Sequence, residues 1–360
     1  MWAMIVKEFR QVRRDRRTLA MMIVMPVLLL VVLGYAASFD VKTISVAVSG
    51  PQAELLAQRL PAPFDVNATA PGQSAAWARN ELRDGKAEMA VVTGGSRPQV
   101  LIDGSQLFSA KAALAALAGL QQRGTGLPVA PTVTVLYNPG LKTSAIMIPG
   151  LCGVVLVFVG TIITSLGVVR ERQSGTLEQL AVMPLKPRDV FLGKIVPYFL
   201  VAAVDLAIVL TVGIAVFGVP FRGNLAVFGL GALLFLFVTL GIGVLISSVS
   251  QNQGQAIQLA VMTLLPQVLL SGLIFPLASI AAGVRWIAYF LPLTYFNEIS
   301  RGVMLRAEPI AALWQPFIFL ALLGAIVVTG ATLRFRSYLA PAASERGPHR
   351  SKVEPSPAQA

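Results

Sequence analysis

One carboxylate lies in the middle of an apolar run: Asp205, within Val201-Ala202-Ala203-Val204-Asp205-Leu206-Ala207. Insertion scales charge roughly 2.5–3.5 kcal/mol for an aspartate at the centre of a membrane helix, so it belongs facing a bundle or a water-filled cavity, with a hydrogen-bond partner. Two readings stand for it: a proton or cation site on a pathway, and a structural hydrogen bond between helices. Other reactive residue types are scarce or misplaced. The single histidine, His349, sits in a Pro-, Ser- and Ala-rich terminal stretch, which removes His-dependent triads, H-E-x-x-H zinc sites and haem ligation. The single cysteine, Cys152, can form neither an intrachain disulfide nor a Cys-based metal site, and its apolar neighbours mark it as a packing residue. Gly193-Lys194 is followed by Ile195 and lacks the upstream glycine of a phosphate loop, and no G-x-S-x-G elbow occurs. No catalytic constellation, metal or cofactor is expected on this chain.

The elements that position these residues are membrane helices. Of 360 residues, 55% are hydrophobic and 13% charged, and the mean hydropathy is +0.72, which excludes an ordinary soluble domain. Runs long enough to cross a hydrocarbon core of ~30 Å, roughly 20 helical residues, recur along the chain. They are Leu19–Phe39, Ala145–Val168, Ile195–Phe217, Ala226–Val249, Ala256–Leu277 and Leu313–Leu333, six expected spans. Pro266 and Ser271-Gly272 interrupt the fifth.

Net charge is +12, but its distribution does not point to nucleic acid. Lys7, Arg10, Arg13, Arg14, Arg16 and Arg17 precede the first span, and Arg170, Arg172, Lys186, Arg188 and Lys194 lie between the second and third. Arg334, Arg336, Arg346, Arg350 and Lys352 follow the last. The positive-inside rule puts these regions and both termini in the cytoplasm. The 218–225 loop holds only Arg222, while Arg285, Arg301 and Arg306 of the 278–312 connection are partly offset by Glu298 and Glu308.

Ahead of the first span, Trp2, Ile5, Phe9 and Val12 form an apolar stripe at helical spacing, with Lys7, Glu8, Arg10 and Arg14 around it. Residues 1–18 are read as a helix in the cytoplasmic interface, basic side chains toward anionic headgroups. The apolar run behind it is too long for a signal-peptide core, so the first span is expected to be retained.

Residues 40–144 are polar and long enough for a domain. Ile44–Val48, Met89–Val92, Val100–Ile102 and Val133–Tyr137 read as strands, and Gln52–Leu60, Ser74–Asp84 and Leu107–Gln122 as helices. The expectation is an α+β extracytoplasmic domain between the first two spans. Between the fifth and sixth spans, Val284–Leu291 and Thr294–Leu305 are too short to cross and read as re-entrant or interfacial helices lining the outer end of a pathway. Residues 334–360 read as a disordered cytoplasmic tail.

One polar segment between spans two and three is shaped for a contact: Arg170-Glu171-Arg172-Gln173-Ser174-Gly175-Thr176-Leu177-Glu178-Gln179-Leu180, leading to Met183-Pro184-Leu185. Thr176 and Gln179 make a capping box, Leu177, Leu180 and Ala181 share a face, and Pro184 ends the turn. The segment reads either as a solvated loop or as a short amphipathic helix, within 174–185, that an outside partner can push.

In this order and spacing the chain resembles the permease subunits of ABC-2-type exporters, in the subgroup with a large extracytoplasmic domain between the first two helices. The likeness is carried by Lys7-Glu8-Phe9 and Arg14-Asp15-Arg16-Arg17-Thr18-Leu19, by Tyr137-Asn138-Pro139, and most strongly by Arg170 to Leu180 with Pro184-Leu185 and Leu192-Gly193-Lys194. Asp205, Ser271-Gly272, Phe275-Pro276 and Leu291-Pro292-Leu293-Thr294-Tyr295-Phe296 with Glu298 and Arg301-Gly302 extend it. The resemblance implies a multi-pass protein of the bacterial inner membrane, paired with a second identical or paralogous permease subunit. Two ATP-binding subunits would carry the ATP and Mg, and a periplasmic adaptor is a further candidate partner. It implies that Glu171, Arg172, Gly175, Thr176, Leu177, Glu178, Leu180 and Pro184 contact the ATPase. The spans are poor in polar groups, which favours a hydrophobic or amphiphilic cargo, drug or lipid. Two other classes remain open: a membrane anchor or receptor using its extracytoplasmic domain, and an ion-coupled transporter using Asp205.

Overall fold

The computed structural model describes residues 41–95, 97–122, 131–174 and 187–339. The expected connecting helix, the first span and the 175–186 segment lie outside the described residues.

Five strands, β1 (Ile44–Ser49), β2 (Phe64–Ala70), β3 (Met89–Val92), β4 (Gln99–Asp103) and β5 (Thr132–Leu136), form one sheet in the order β2-β1-β3-β4-β5. Every pairing is parallel except β3 with β4. The twofold alternation of a strand sends Ile44, Val46, Val48, Met89, Val91, Val100 and Ile102 to one face, with Ala110, Ala113 and Leu117 of α3 (Leu107–Gln122) and Leu56 of α1 (Ala53–Arg59). Ala47, Ala90 and Leu101 point the other way, onto Ala78 and Leu82 of α2 (Ala75–Arg83). Helices therefore cover both faces, an α/β layering rather than the expected α+β one. The difference traces to β2, a strand absent from the sequence reading. Only Phe64 of Phe64-Asp65-Val66-Asn67-Ala68-Thr69-Ala70 is buried, so this edge strand has little hydrophobic signature. Without it, the β1-α1-β2 and β2-α2-β3 crossovers are invisible.

Four helices among the described residues are long and apolar enough to cross a membrane: Thr143–Arg170, Pro197–Ala215, Leu225–Val249 and Trp314–Arg334. They correspond to the second, third, fourth and sixth expected spans. The first runs as α4 (Thr143–Val157), a π-helical stretch (Phe158–Ile163) and α5 (Thr164–Gln173). The others belong to α6 (Pro187–Ala215), α7 (Leu225–Val249) and α11 (Trp314–Leu339). The fifth expected span is a shorter helix, α8 (Gln253–Leu270), about 27 Å long by its 18 residues. It stops at Ser271 because Gly272 adopts φ +79°, so the apolar run to Leu277 is not helix. Gln255, Gln258 and Gln267 also dilute its apolarity. At the other end, α11 continues through Leu339, into residues assigned by composition to the tail, since no proline interrupts it before Pro341.

Between α8 and α11 come a 3-10 turn (Leu277–Ser279), α9 (Ala282–Ala288), α10 (Pro292–Arg301) and a π-turn (Gly302–Arg306). Pro292 is the first residue of α10, where its missing N–H costs nothing. This helix enters the bundle core: Phe296 stacks on Phe235 of α7, centroids 4.6 Å apart and planes 14° from parallel. Gly153 of α4 permits that approach, since a Cβ there would collide with Leu293 and Phe296.

Candidate functional site

Two junctions hold the sheet domain against the helices, and a cavity lies between them. The first is local. Asn138 Oδ1 accepts from Lys142 N (3.0 Å), and its Nδ2 donates to Lys142 O (3.1 Å) and to Gly104 O (3.3 Å) at the end of β4. Tyr137 takes φ +65°, and its hydroxyl donates to Arg79 O on α2 (3.4 Å). Burial pushes the Tyr137 phenol up to about 12, so it stays protonated as a donor. The aromatic-Asn-Pro triplet thus splices β5, β4 and the entry to α4.

The second junction is ionic and built from distant parts of the chain. Arg306, 5% exposed, donates from Nη2 to Glu308 Oε2 (2.7 Å) and from Nη1 to Ser105 Oγ (3.2 Å). The same Nη1 lies 3.7 Å from Asp103 Oδ2, a residue 1% exposed. Ala307 at φ +53° turns the chain so that Glu308 comes back onto Arg306. Burial raises the Asp103 carboxyl above its usual range, opposed by the Arg306 guanidinium and the Ser105 hydrogen bonds. Gly85, at φ +66°, closes over the cluster, with room for a Cβ only 3.1 Å from Arg306 Nη2.

Beside this cluster opens a cavity of about 320 Å³. The sheet domain contributes Glu88 and Leu107, and the helices contribute Ser271, Asn297, Glu298 and Arg301. Asn297 Nδ2 donates to Ser271 Oγ (3.0 Å) and Ser271 O (3.2 Å), which pins the end of α8 to α10. Arg301 Nη2 donates to Leu273 O (3.3 Å). Glu88 accepts from Ser109 Oγ (2.6 Å) and Ser45 N (3.1 Å), and burial raises its carboxyl above the usual 4.5 against those hydrogen bonds.

The intramembrane residues singled out by sequence divide. Ser271, Gly272 and Pro276 line this cavity. Phe275 instead packs with Leu270, Ile280 and Ala288. Asp205 does not line it: it is half-buried on α6, and no hydrogen bond or ion pair reaches it among the described residues, unlike the partnered group expected. Glu171 and Arg172 fall in the last turn of α5, whereas Gly175, Thr176, Leu177, Glu178, Leu180 and Pro184 lie outside the described residues, as do Trp2, Ile5, Lys7, Glu8, Phe9, Arg10 and Arg14. Sequence reasoning missed Glu88, Asp103 and Asn297. The available signal was a charge closing an apolar strand, Val100-Leu101-Ile102-Asp103, together with Arg306 and Glu308 inside an apolar connection.

The geometry also separates two ends of the bundle. Loop 216–224 meets the domain end, where Arg222 N donates to Met304 O (3.0 Å). At the opposite end, Gln253 Nε2 donates to Gln173 Oε1 (3.0 Å), bringing the start of α8 to the tip of α5. The segment after Gln173 therefore leaves the bundle far from the sheet domain.

Comparison with known proteins accounts for this architecture. The profile of the ABC-2 family transporter proteins matches residues 16–333. The probable multidrug ABC transporter permease YbhS of Escherichia coli (strain K12) is 30% identical over 363 residues, covering 92% of this chain and 94% of its own. YbhR of the same strain, also described as a probable multidrug ABC transporter permease, is 29% identical over 93% of this chain and 98% of its own. The inner membrane transport permease YhhJ is 32% identical over 56% of this chain and 54% of its own. With its apolar helices and sheet domain, the chain belongs to the ABC-2 transporter family, as a membrane-embedded permease component of an ABC transporter.

Proposed function

We propose that this chain forms the conduit of an ATP-driven exporter of the inner membrane, moving a hydrophobic or amphiphilic cargo out of the cytoplasm or inner leaflet. Six spans, with the first in residues 19–39, put the sheet domain outside and both termini in the cytoplasm, in accord with the basic flanks. A second permease subunit, identical or paralogous, completes the pathway. α6 supports a lipid or subunit contact, since Leu200, Val204 and Ile208 stand exposed along it. Two separate ATP-binding subunits hold ATP and Mg, so this chain is not itself an enzyme.

The observation that carries the reading is the long α4–α5 rod. It begins beneath the sheet domain and ends in Arg170-Glu171-Arg172 at the opposite tip, next to Gln253. A push on the segment after Gln173 is thereby delivered along one element toward the cavity. Glu171, Arg172, Gly175, Thr176 and Glu178 make the ATPase contact, with Leu177 and Leu180 as its apolar face and Pro184 as its end. The N-terminal amphipathic helix is a second contact. Each bound state of the ATPase then favours the arrangement of spans that it binds better.

The test combines Glu178→Lys with Leu177→Ala and Leu180→Ala, in membranes containing the chain and its ATP-binding partner. Transport-linked ATP hydrolysis should be abolished while insertion is unchanged; undiminished coupling removes the assignment. Asp205→Asn separates the ion-coupled reading, which requires that carboxylate, from the ATP-driven one, which keeps full transport without it.

A further inference from the structure

The charges around the cavity do not cancel. Arg306 is consumed by Asp103 and Glu308, and it has no guanidinium face left for an incoming group. Glu88 is held only by neutral donors, Ser109 Oγ and Ser45 N. Among the described residues, no cationic side chain lies within ion-pair distance of Glu88 or Glu298, and no carboxylate lies within that distance of Arg301. Two uncompensated carboxylates thus face one uncompensated guanidinium, which is already turned onto Leu273 O. A carboxylate taken from water into a partly apolar recess demands a counter-charge or donors.

An independent observation points to a donor as well. Asn297, 3% exposed, lines the cavity with its Nδ2 spent on Ser271 and its Oδ1 without any hydrogen bond. A buried carbonyl oxygen left unbonded is the mark of a missing N–H. The remaining walls are apolar, Leu107, Ile146, Leu273 and Leu277 among them. The volume, about 320 Å³, suits a compact small molecule.

We propose that this cavity binds the ammonium end of an amphiphile, with Glu88 and Glu298 supplying the counter-charge, Asn297 Oδ1 accepting an N–H, and the alkyl portion resting on Leu107 and Leu277. Its place on the export route rests on the exporter reading; the binding itself does not. Two sources present this chemistry, a free cationic amphiphile and the headgroup of an aminophospholipid. The second also brings a phosphate, for which Arg301 is the available cation.

The experiment uses the full chain in phosphatidylcholine nanodiscs, whose headgroups lack N–H donors. Binding of octylammonium and of octanol is measured calorimetrically without nucleotide or partner, so failure here is distinct from failure of the coupling test. Octylammonium should bind at least about tenfold more tightly than octanol, the worth of one charge-assisted hydrogen bond. Glu88→Gln with Glu298→Gln should erase that ratio, and Arg301→Gln should raise octylammonium affinity. Should the double variant fail to fold, Glu298→Gln alone should lower the ratio, and Leu277→Trp, which fills the recess and keeps both acids, should weaken both probes. Equal binding of the two probes by the native chain overturns the proposal, as does an undiminished ratio in the variant lacking the carboxylates. Adding phosphatidylethanolamine to the disc identifies the source: competition that disappears in Arg301→Gln assigns the lipid headgroup, and absence of competition assigns the free amphiphile.

Discussion

Asn138 and Arg306 both tie the sheet domain to the helices, the first through neutral hydrogen bonds at the point where the chain passes between them, the second through a buried charge cluster. Asn138 joins residues that covalent connection already keeps close, Lys142 being four positions away. Arg306 joins the far end of the helical connection to Ser105 and Asp103, which nothing else in the chain would hold nearby. A neutral splice tolerates small changes of angle, because each hydrogen bond contributes about 1 kcal/mol and bends at modest cost. A buried ion cluster is closer to all-or-none, since separating its members leaves charges without water or partners. The domain is therefore built to pivot at Asn138 and to latch at Arg306.

That contrast can be broken most sharply at the latch. Arg306→Met leaves Asp103 and Glu308 buried together without a counter-charge and should destabilise the fold by about 3–5 kcal/mol, read by thermal unfolding of the purified chain. Adding Asp103→Asn to that variant should recover part of the loss. A change of only a few tenths would place the cluster with exposed pairs such as Arg83–Asp84.

Asn138→Ala removes three hydrogen bonds and should cost about 1–3 kcal/mol. Its diagnostic is faster amide exchange at Lys142, with protection in β1 and β3 unchanged.

Glu88 gives a pH-dependent version of the same comparison. Burial raises its folded-state carboxyl above the ordinary 4.5, so its favourable contribution is present below that pH and is lost as pH rises through the raised value. Glu88→Gln should therefore melt higher than the native chain at pH 7.5, with the advantage gone near pH 4.5. The reverse ordering would mean that Ser109 and Ser45 fully compensate the charge.

The smallest effect belongs to Tyr137→Phe, which deletes only the long hydroxyl contact to Arg79 O (3.4 Å). Its cost should stay below about 1 kcal/mol in the same melts.

Strands with a buried face were legible because alternation writes itself into Ile44–Ser49 and Met89–Val92. β2 was not, because an edge strand with polar outward residues and alanines resembles a loop. The spans were legible as apolar runs, yet their ends were set by backbone conformation that hydropathy does not record: Gly272 stops α8 well inside its apolar run. The cavity's polar residues were harder still. Asp103 and Arg306 meet only after the sheet and the helical bundle are both assembled, and Asn297 shows its importance through an unbonded oxygen rather than through its spacing. The ABC-2 pattern itself was readable because it resides in order along the chain.

The π-helical stretch Phe158–Ile163 sets the rotational phase of the whole α4–α5 rod. Above it, Gly150 and Gly153 look onto Asn297, Leu293 and Phe296; below it, Val169 joins Ile246, Ala256 and Ala260. Deleting one residue from that stretch would restore an ordinary helix and turn everything downstream by about 100° relative to everything upstream. Chain length within these six residues is thus a fixed quantity, even where the identity of each side chain is free to vary.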